Sequence, residues 1–97
     1  MMYNFDNRVA IVTGGTRGIG RAIVEALLES NSRVIATYLK NDFEAAEFRD
    51  AWSSRKKKLV VVKHDVSDLG DSRGLIQIGM DVFNEPPTLL VNNAGIL

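Results

Sequence analysis

The sequence predicts an α/β fold built on a doubly wound parallel sheet, and three observations carry that prediction. Apolar runs of strand length recur at Val9–Val12, Arg33–Tyr38, Leu59–Val62 and Leu89–Val91. Each is separated from the next by a segment whose apolar residues fall at helical spacing, giving the order β-α-β-α-β-α-β. The strands are continuously apolar rather than alternating, as expected where helices cover both faces of a parallel sheet. Every crossover is then expected to be right-handed.

The first helix is expected to open near Arg17 and run to about Glu29, with Ile19, Ile23, Ala26 and Leu27 as its buried stripe. Ser30-Asn31-Ser32 ends it, with Asn31 as the residue best suited to a left-handed conformation. The second helix carries a capping box in Asn41 and Glu44 and places Ala45, Phe48 and Trp52 on one face. The basic run Arg55-Lys56-Lys57-Lys58 follows its end, where cations favour the helix dipole and solubility; this reading is preferred to a nucleic-acid or localisation patch. The third helix, roughly Asp71 to Asn84, presents Leu75, Ile76, Val82 and Phe83 inward and contains Gly74 and Gly79. Each internal glycine costs about 0.8–1 kcal/mol relative to alanine, so this helix depends on tertiary packing. Pro86-Pro87 stops it before the fourth strand.

Composition narrows the function classes. Twelve Lys and Arg balance 12 Asp and Glu, so no global field draws the chain to nucleic acid or anionic membranes. The absence of cysteine rules out disulfides, a thiolate nucleophile and a cysteine-ligated metal, and a single histidine rules out a His-rich metal site. Neither a secretory leader nor a membrane-spanning run is recognisable, which makes the expected location cytoplasmic. His64 and Trp52 suggest no site: His64 reads as a strand residue with a satisfied ring. A length of 97 residues by itself fits one small domain.

The chemistry concentrates directly after the first strand, where Thr13-Gly14-Gly15-Thr16-Arg17-Gly18-Ile19-Gly20 runs into the first helix. A glycine-rich turn in that position lets backbone approach a pyrophosphate, while the helix start supplies unpaired N–H groups and a positive dipole end. Gly14 permits the tight turn, Gly18 the close approach and Gly20 the close packing of helix on strand. The candidate contacts in this loop are Gly14, Thr16, Arg17, Gly18, Ile19 and Gly20.

These residues resemble the short-chain dehydrogenase/reductase family, whose loop reads Thr-Gly-x-x-x-Gly-x-Gly and is matched at Thr13, Gly14, Gly18 and Gly20. A second family motif, Asn-Asn-Ala-Gly, is matched at Asn92-Asn93-Ala94-Gly95, and Asp65-Val66 matches the family's adenine-amino acceptor at the end of the third strand. Among subfamilies the sequence is most similar to bacterial 3-oxoacyl-(acyl-carrier-protein) reductases and related ketone reductases. The resemblance implies a Rossmann-like fold with strand order 3-2-1-4. It also implies that residues 1–97 form the NADP-binding N-terminal part of a Rossmann domain, stopping before the catalytic half.

A carboxylate at Asp65 accepts hydrogen bonds, as an adenine amino group requires, and stands at the carboxyl end of a strand where doubly wound sheets bind ligands; capping of the next turn is its other reading. Ala94 and Gly95 are small enough for a nicotinamide ribose to approach. In the family, Asn93 ties the central strands together and lines the cofactor cleft; a plain turn role is the alternative. Tyr38 is a further candidate beside the adenine, with end-of-strand packing as its alternative.

Cofactor choice is a separate reading. An acid about 20 positions beyond the glycine loop would hold the ribose hydroxyls of NAD and repel a 2′-phosphate. The second strand instead ends Thr37-Tyr38-Leu39-Lys40, with no acid before Asp42. Arg17 and Lys40 are both cations suited to a 2′-phosphate, and Arg17 is otherwise unfavourably placed beside a positive dipole end. NADP(H) is therefore favoured over NAD(H).

The family's Tyr-x-x-x-Lys pair, Ser and further Asn lie C-terminal to Asn-Asn-Ala-Gly. Here the two tyrosines, Tyr3 and Tyr38, are followed four residues later by Asn7 and Asp42, so no catalytic residue is assigned. Two functional readings stay open. One is the cofactor-binding portion of an NADP(H)-dependent carbonyl/alcohol oxidoreductase, ketoacyl-reductase-like, whose small carbonyl or alcohol substrate would bind only a full-length form, itself expected to be a homo-oligomer. The other is a non-catalytic dinucleotide-binding module or inactive remnant acting through a partner. In either case the order 3-2-1-4 leaves the fourth strand as an apolar edge, so the isolated chain is expected to associate or to be marginally stable.

Overall fold

The computed structural model describes residues 8–53, 58–65 and 69–93. Their elements are β1 (Val9–Thr13), α1 (Gly18–Glu29), β2 (Arg33–Tyr38), α2 (Asp42–Ala51), β3 (Leu59–Lys63), α3 (Leu69–Phe83) and β4 (Leu89–Asn92). The strands form one parallel sheet in the order β3-β2-β1-β4, the arrangement expected of a Rossmann-like fold.

Successive residues of the central strands point to opposite faces and build two cores. Ala10, Val12, Val34 and Ala36 pack with Val24, Leu27, Leu28 and Phe48 on the side of α1 and α2. Val9, Ile11 and Ile35 pack with Leu75 and Phe83 on the side of α3. β1 is buried throughout, whereas β3 and β4 are only partly buried because each lies at an edge of the sheet.

Helix boundaries follow local chemistry. Asn41 Oδ1 accepts the Glu44 amide at 3.0 Å, and Asn41 Nδ2 donates to Glu44 Oε1 at 3.0 Å, so the expected cap of α2 forms with the side-chain amide closing the pair. After α1, Asn31 takes φ 67°, and the Ser32 amide donates to the Leu27 carbonyl at 3.0 Å. Arg33 joins the start of β2 to the end of α3, donating to the Phe83 carbonyl at 3.1 Å and pairing with Glu85 at 3.0 Å.

Two helix stripes differ from expectation. In α1 the buried residues are Gly20, Val24, Leu27 and Leu28, while Ile19 is 70% exposed and Ala26 is exposed. The contact line runs through Gly20, where the helix comes against the Gly14 backbone of the turn that follows β1; Ile19 is one position away and faces solvent. In α3, Leu75 and Phe83 are buried but Ile76 and Val82 are exposed. The stripe passes through Gly79, where an added Cβ would lie 2.9 Å from Pro87 Cδ and 3.2 Å from the Glu85 carbonyl oxygen. That glycine, read from sequence as a weakness, admits the chain as it returns from α3 toward β4. The basic residues Arg55, Lys56 and Lys57 lie outside the described residues.

Candidate functional site

The loop from Thr13 to Gly20 joins the carboxyl end of β1 to α1, and its glycines differ in what they make possible. Gly14 and Gly18 have φ of 64° and 61°, the left-handed region that L side chains enter at a cost. At Gly18 an added Cβ would meet nothing within 4 Å, leaving open space beside the backbone at the helix start. At Gly20 the same atom would stand 2.0 Å from the Gly14 carbonyl oxygen and 2.6 Å from Asn93 Nδ2.

β4 locks this turn from the other side. Asn93 Nδ2 donates to the Gly14 carbonyl at 3.1 Å, and the Asn93 amide donates to Thr13 Oγ1 at 3.0 Å. The Thr13 hydroxyl has acceptors in Asn92 Oδ1 at 3.3 Å and the Val91 carbonyl at 3.4 Å. On the β2 side, the Gly15 amide donates to the Thr37 carbonyl at 2.9 Å. The turn is therefore tied to both neighbouring strands and held open at its helix end.

Sequence reasoning gave roles to Gly14, Gly18 and Gly20 and named Thr13 only as a match to the loop motif, but missed Gly15 as part of this framework. A Cβ on Gly15 would lie 2.9 Å from Val24 Cγ2 and 3.0 Å from both Ala36 Cβ and the Val12 carbonyl oxygen. The Gly-Gly pair held the signal, since a second glycine beside the one that makes the turn indicates a close approach of its own.

Arg17 is the N-cap of α1, with extended backbone at φ −156° and ψ 165° and no side-chain capping bond. Its side chain is 70% exposed, and Nη1 lies 4.0 Å from Glu44 Oε1. Thr16 is buried and Ile19 exposed. Lys40 is exposed just beyond β2, the strand next to β1, so both cations stand at the carboxyl end of the sheet. Asp65 is exposed two residues past β3, at that same end. Val66, Ala94 and Gly95 lie outside the described residues.

Tyr38 ends β2 inside a small polar cluster. Its phenol shares a hydrogen bond with the Asp42 carboxylate, which raises the phenol pKa above its ordinary value. Asp42 is held below the ordinary carboxylate value by that bond and by Lys63, whose Nζ lies 3.4 Å away. Tyr38 is half-buried, and its phenol is neutral at ordinary pH. His64 is buried at the end of β3, its amide donating to the Tyr38 carbonyl at 2.8 Å. Among the described residues no His/Cys/Asp/Glu group could hold a metal ion, and no helix is long and apolar enough to cross a membrane.

Residues 8–97 match the family model for short chain dehydrogenase. The chain is 36% identical over 99 residues to NADPH-dependent aldehyde reductase 2, chloroplastic, of Arabidopsis thaliana, covering 92% of this chain and 36% of the plant protein. Among solved structures, a blue fluorescent protein from a metagenomic library in complex with NADPH aligns with a TM-score of 0.83 at 30% identity, over 98% of this chain and 38% of that one. A short chain dehydrogenase/reductase from Burkholderia phymatum in complex with NAD aligns with a TM-score of 0.79 at 25% identity, over 92% of this chain and 31% of that one. The chain spans about a third of the length of the curated relatives it matches.

Proposed function

The chain belongs to the short-chain dehydrogenase family, and from that premise we propose that it is the cofactor-binding portion of an NADP(H)-dependent carbonyl/alcohol oxidoreductase. The fit rests on a cradle that side chains would fill: Gly18 leaves open space at the start of α1, and Gly20 lets that helix close on Gly14. Pyrophosphate is assigned to the amides opening α1, where the dipole favours an anion. The adenine amino group is assigned to Asp65 and the 2′-phosphate to Arg17 and Lys40, with Tyr38 beside the adenine. Val66 is assigned with Asp65 to the adenine side, and Asn93, Ala94 and Gly95 to the nicotinamide side and the floor of the cleft, by their match to the family motifs.

The observation that carries the preference for the phosphorylated cofactor is the exposed Arg17 at the start of α1. A guanidinium beside a positive helix end is unfavourably placed, and the Glu44 carboxylate 4.0 Å away offsets this only in part, so a further anion is favoured there. When bound, NADPH would supply the hydride to a carbonyl and NADP⁺ would accept it from an alcohol. The protein's part at these residues is to hold the dinucleotide across the carboxyl ends of β1, β2 and β3. The proton exchanged with a carbonyl substrate requires a group outside the residues assigned here, since Tyr38 is followed four residues later by Asp42 and its phenol pKa is raised.

Fluorescence titration of the 97-residue chain with each reduced cofactor tests this reading. NADPH is expected to bind at least about tenfold more tightly than NADH, the contribution of one charge-assisted hydrogen bond. NADH binding as tightly as NADPH, or more so, overturns it.

A further inference from the structure

Glu44 lies outside the glycine loop and outside β2, yet its carboxylate is fixed beside the one loop residue that carries a charge. Its amide and Oε1 both bond to the Asn41 side chain at 3.0 Å, and the same Oε1 stands 4.0 Å from Arg17 Nη1. The capping pair opposes movement of this carboxylate away from Arg17 when another anion approaches. Asp42, the other acid in the first turn of α2, faces Lys63 and Tyr38 instead. Among the described residues, Arg17 is the cation within salt-bridge reach of Glu44.

We infer that Glu44 is a specificity-determining residue that limits how strongly the chain prefers a 2′-phosphorylated dinucleotide over an unphosphorylated one; this rests on the assignment of the 2′-phosphate to Arg17. The phosphate must share Arg17 with a carboxylate that Asn41 holds in place, and the two anions repel. NADH carries no charge at that position, so its affinity is insensitive to Glu44. Both side chains reach solvent, with 70% exposure for Arg17 and 38% for Glu44, so the effect is moderate and weakened by salt.

The test is Glu44→Gln, which removes the charge but keeps an oxygen for Asn41 Nδ2, so the start of α2 is preserved; circular dichroism of the variant checks this. In titrations of the 97-residue chain, the NADPH Kd is expected to fall about threefold or more while the NADH Kd stays the same. The gain should shrink as ionic strength rises and largely disappear in an Arg17→Met background. An unchanged NADPH-to-NADH ratio, an equal change for both cofactors, or weaker NADPH binding overturns the inference. The proposed cofactor preference fails separately, when the unsubstituted chain binds NADH at least as well as NADPH. In that case a ratio that still moves toward NADPH in Glu44→Gln supports the inference. A chain that binds neither cofactor overturns both.

Discussion

Gly20→Ala is expected to lower the melting temperature of the chain by about 10 °C or more and to abolish dinucleotide binding. The added methyl would stand 2.0 Å from the Gly14 carbonyl oxygen and 2.8 Å from its carbon, both backbone atoms held by the turn. Relief requires α1 to move off the Gly14 turn and Asn93 Nδ2, which would stand 2.6 Å from the methyl, to give up its 3.1 Å bond to Gly14, reshaping the loop at its tightest point. Overpacking of this kind costs about 1–3 kcal/mol and the lost bond about 0.5–1.5 kcal/mol. In a domain of this size each kcal/mol shifts the melting temperature by roughly 4–8 °C. Gly74→Ala is the control: its Cβ meets nothing within 4 Å, and alanine there should stabilise α3 by about 0.8–1 kcal/mol. Thermal denaturation followed by circular dichroism measures both. A Gly20→Ala chain that melts with the unsubstituted protein contradicts the packing described for α1.

The second large effect concerns β4. This strand pairs with β1 on one side, and its Leu90 is 63% exposed. Ile76 and Met80, one helical turn apart on α3, are also exposed. At the other end of the sheet, β3 finishes in Lys63, whose ion pair with Asp42 places charge on that edge and blunts it. The uncharged β4 edge is therefore the stickier one, and the isolated chain is expected to self-associate through it. Sedimentation velocity should show a concentration-dependent species larger than the monomer, and Leu90→Lys should shift the population toward monomer at least about tenfold by burying a charge in any edge-to-edge contact. A monomeric, cooperatively folded chain at every concentration contradicts the expectation.

The sheet and the site were legible to different depths. A parallel sheet followed from the alternation of apolar runs with helical segments, and its strand order from the family resemblance that the motifs carry. Asn31 and the Asn41–Glu44 cap were legible because each residue acts within its own turn. The stripes of α1 and α3 held at Leu27, Leu75 and Phe83 and failed at Ile19, Ala26, Ile76 and Val82, for one shared reason. A glycine has no hydrophobic signal, yet Gly20 and Gly79 mark where each helix meets neighbouring chain most closely. A pattern built on Ile19 and Ile76 passes beside that line. The Arg17–Glu44 pair was hidden for another reason, since a contact between two elements leaves no local periodicity to read. Gly15 could have been recognised, because one glycine suffices for a left-handed turn and the second signals crowding.

The claim that most of this account depends on is that the dinucleotide lies along the carboxyl ends of the strands, and backbone amide chemical-shift mapping with NADPH tests it most directly. Perturbations are expected at Gly14 to Gly20, at Tyr38 to Lys40, and at Asp65 and Asn93. Little change is expected around the Arg33–Glu85 pair at the opposite end of the sheet. Shifts centred on Arg33 and Glu85, or spread without regard to the glycine turn, would contradict it.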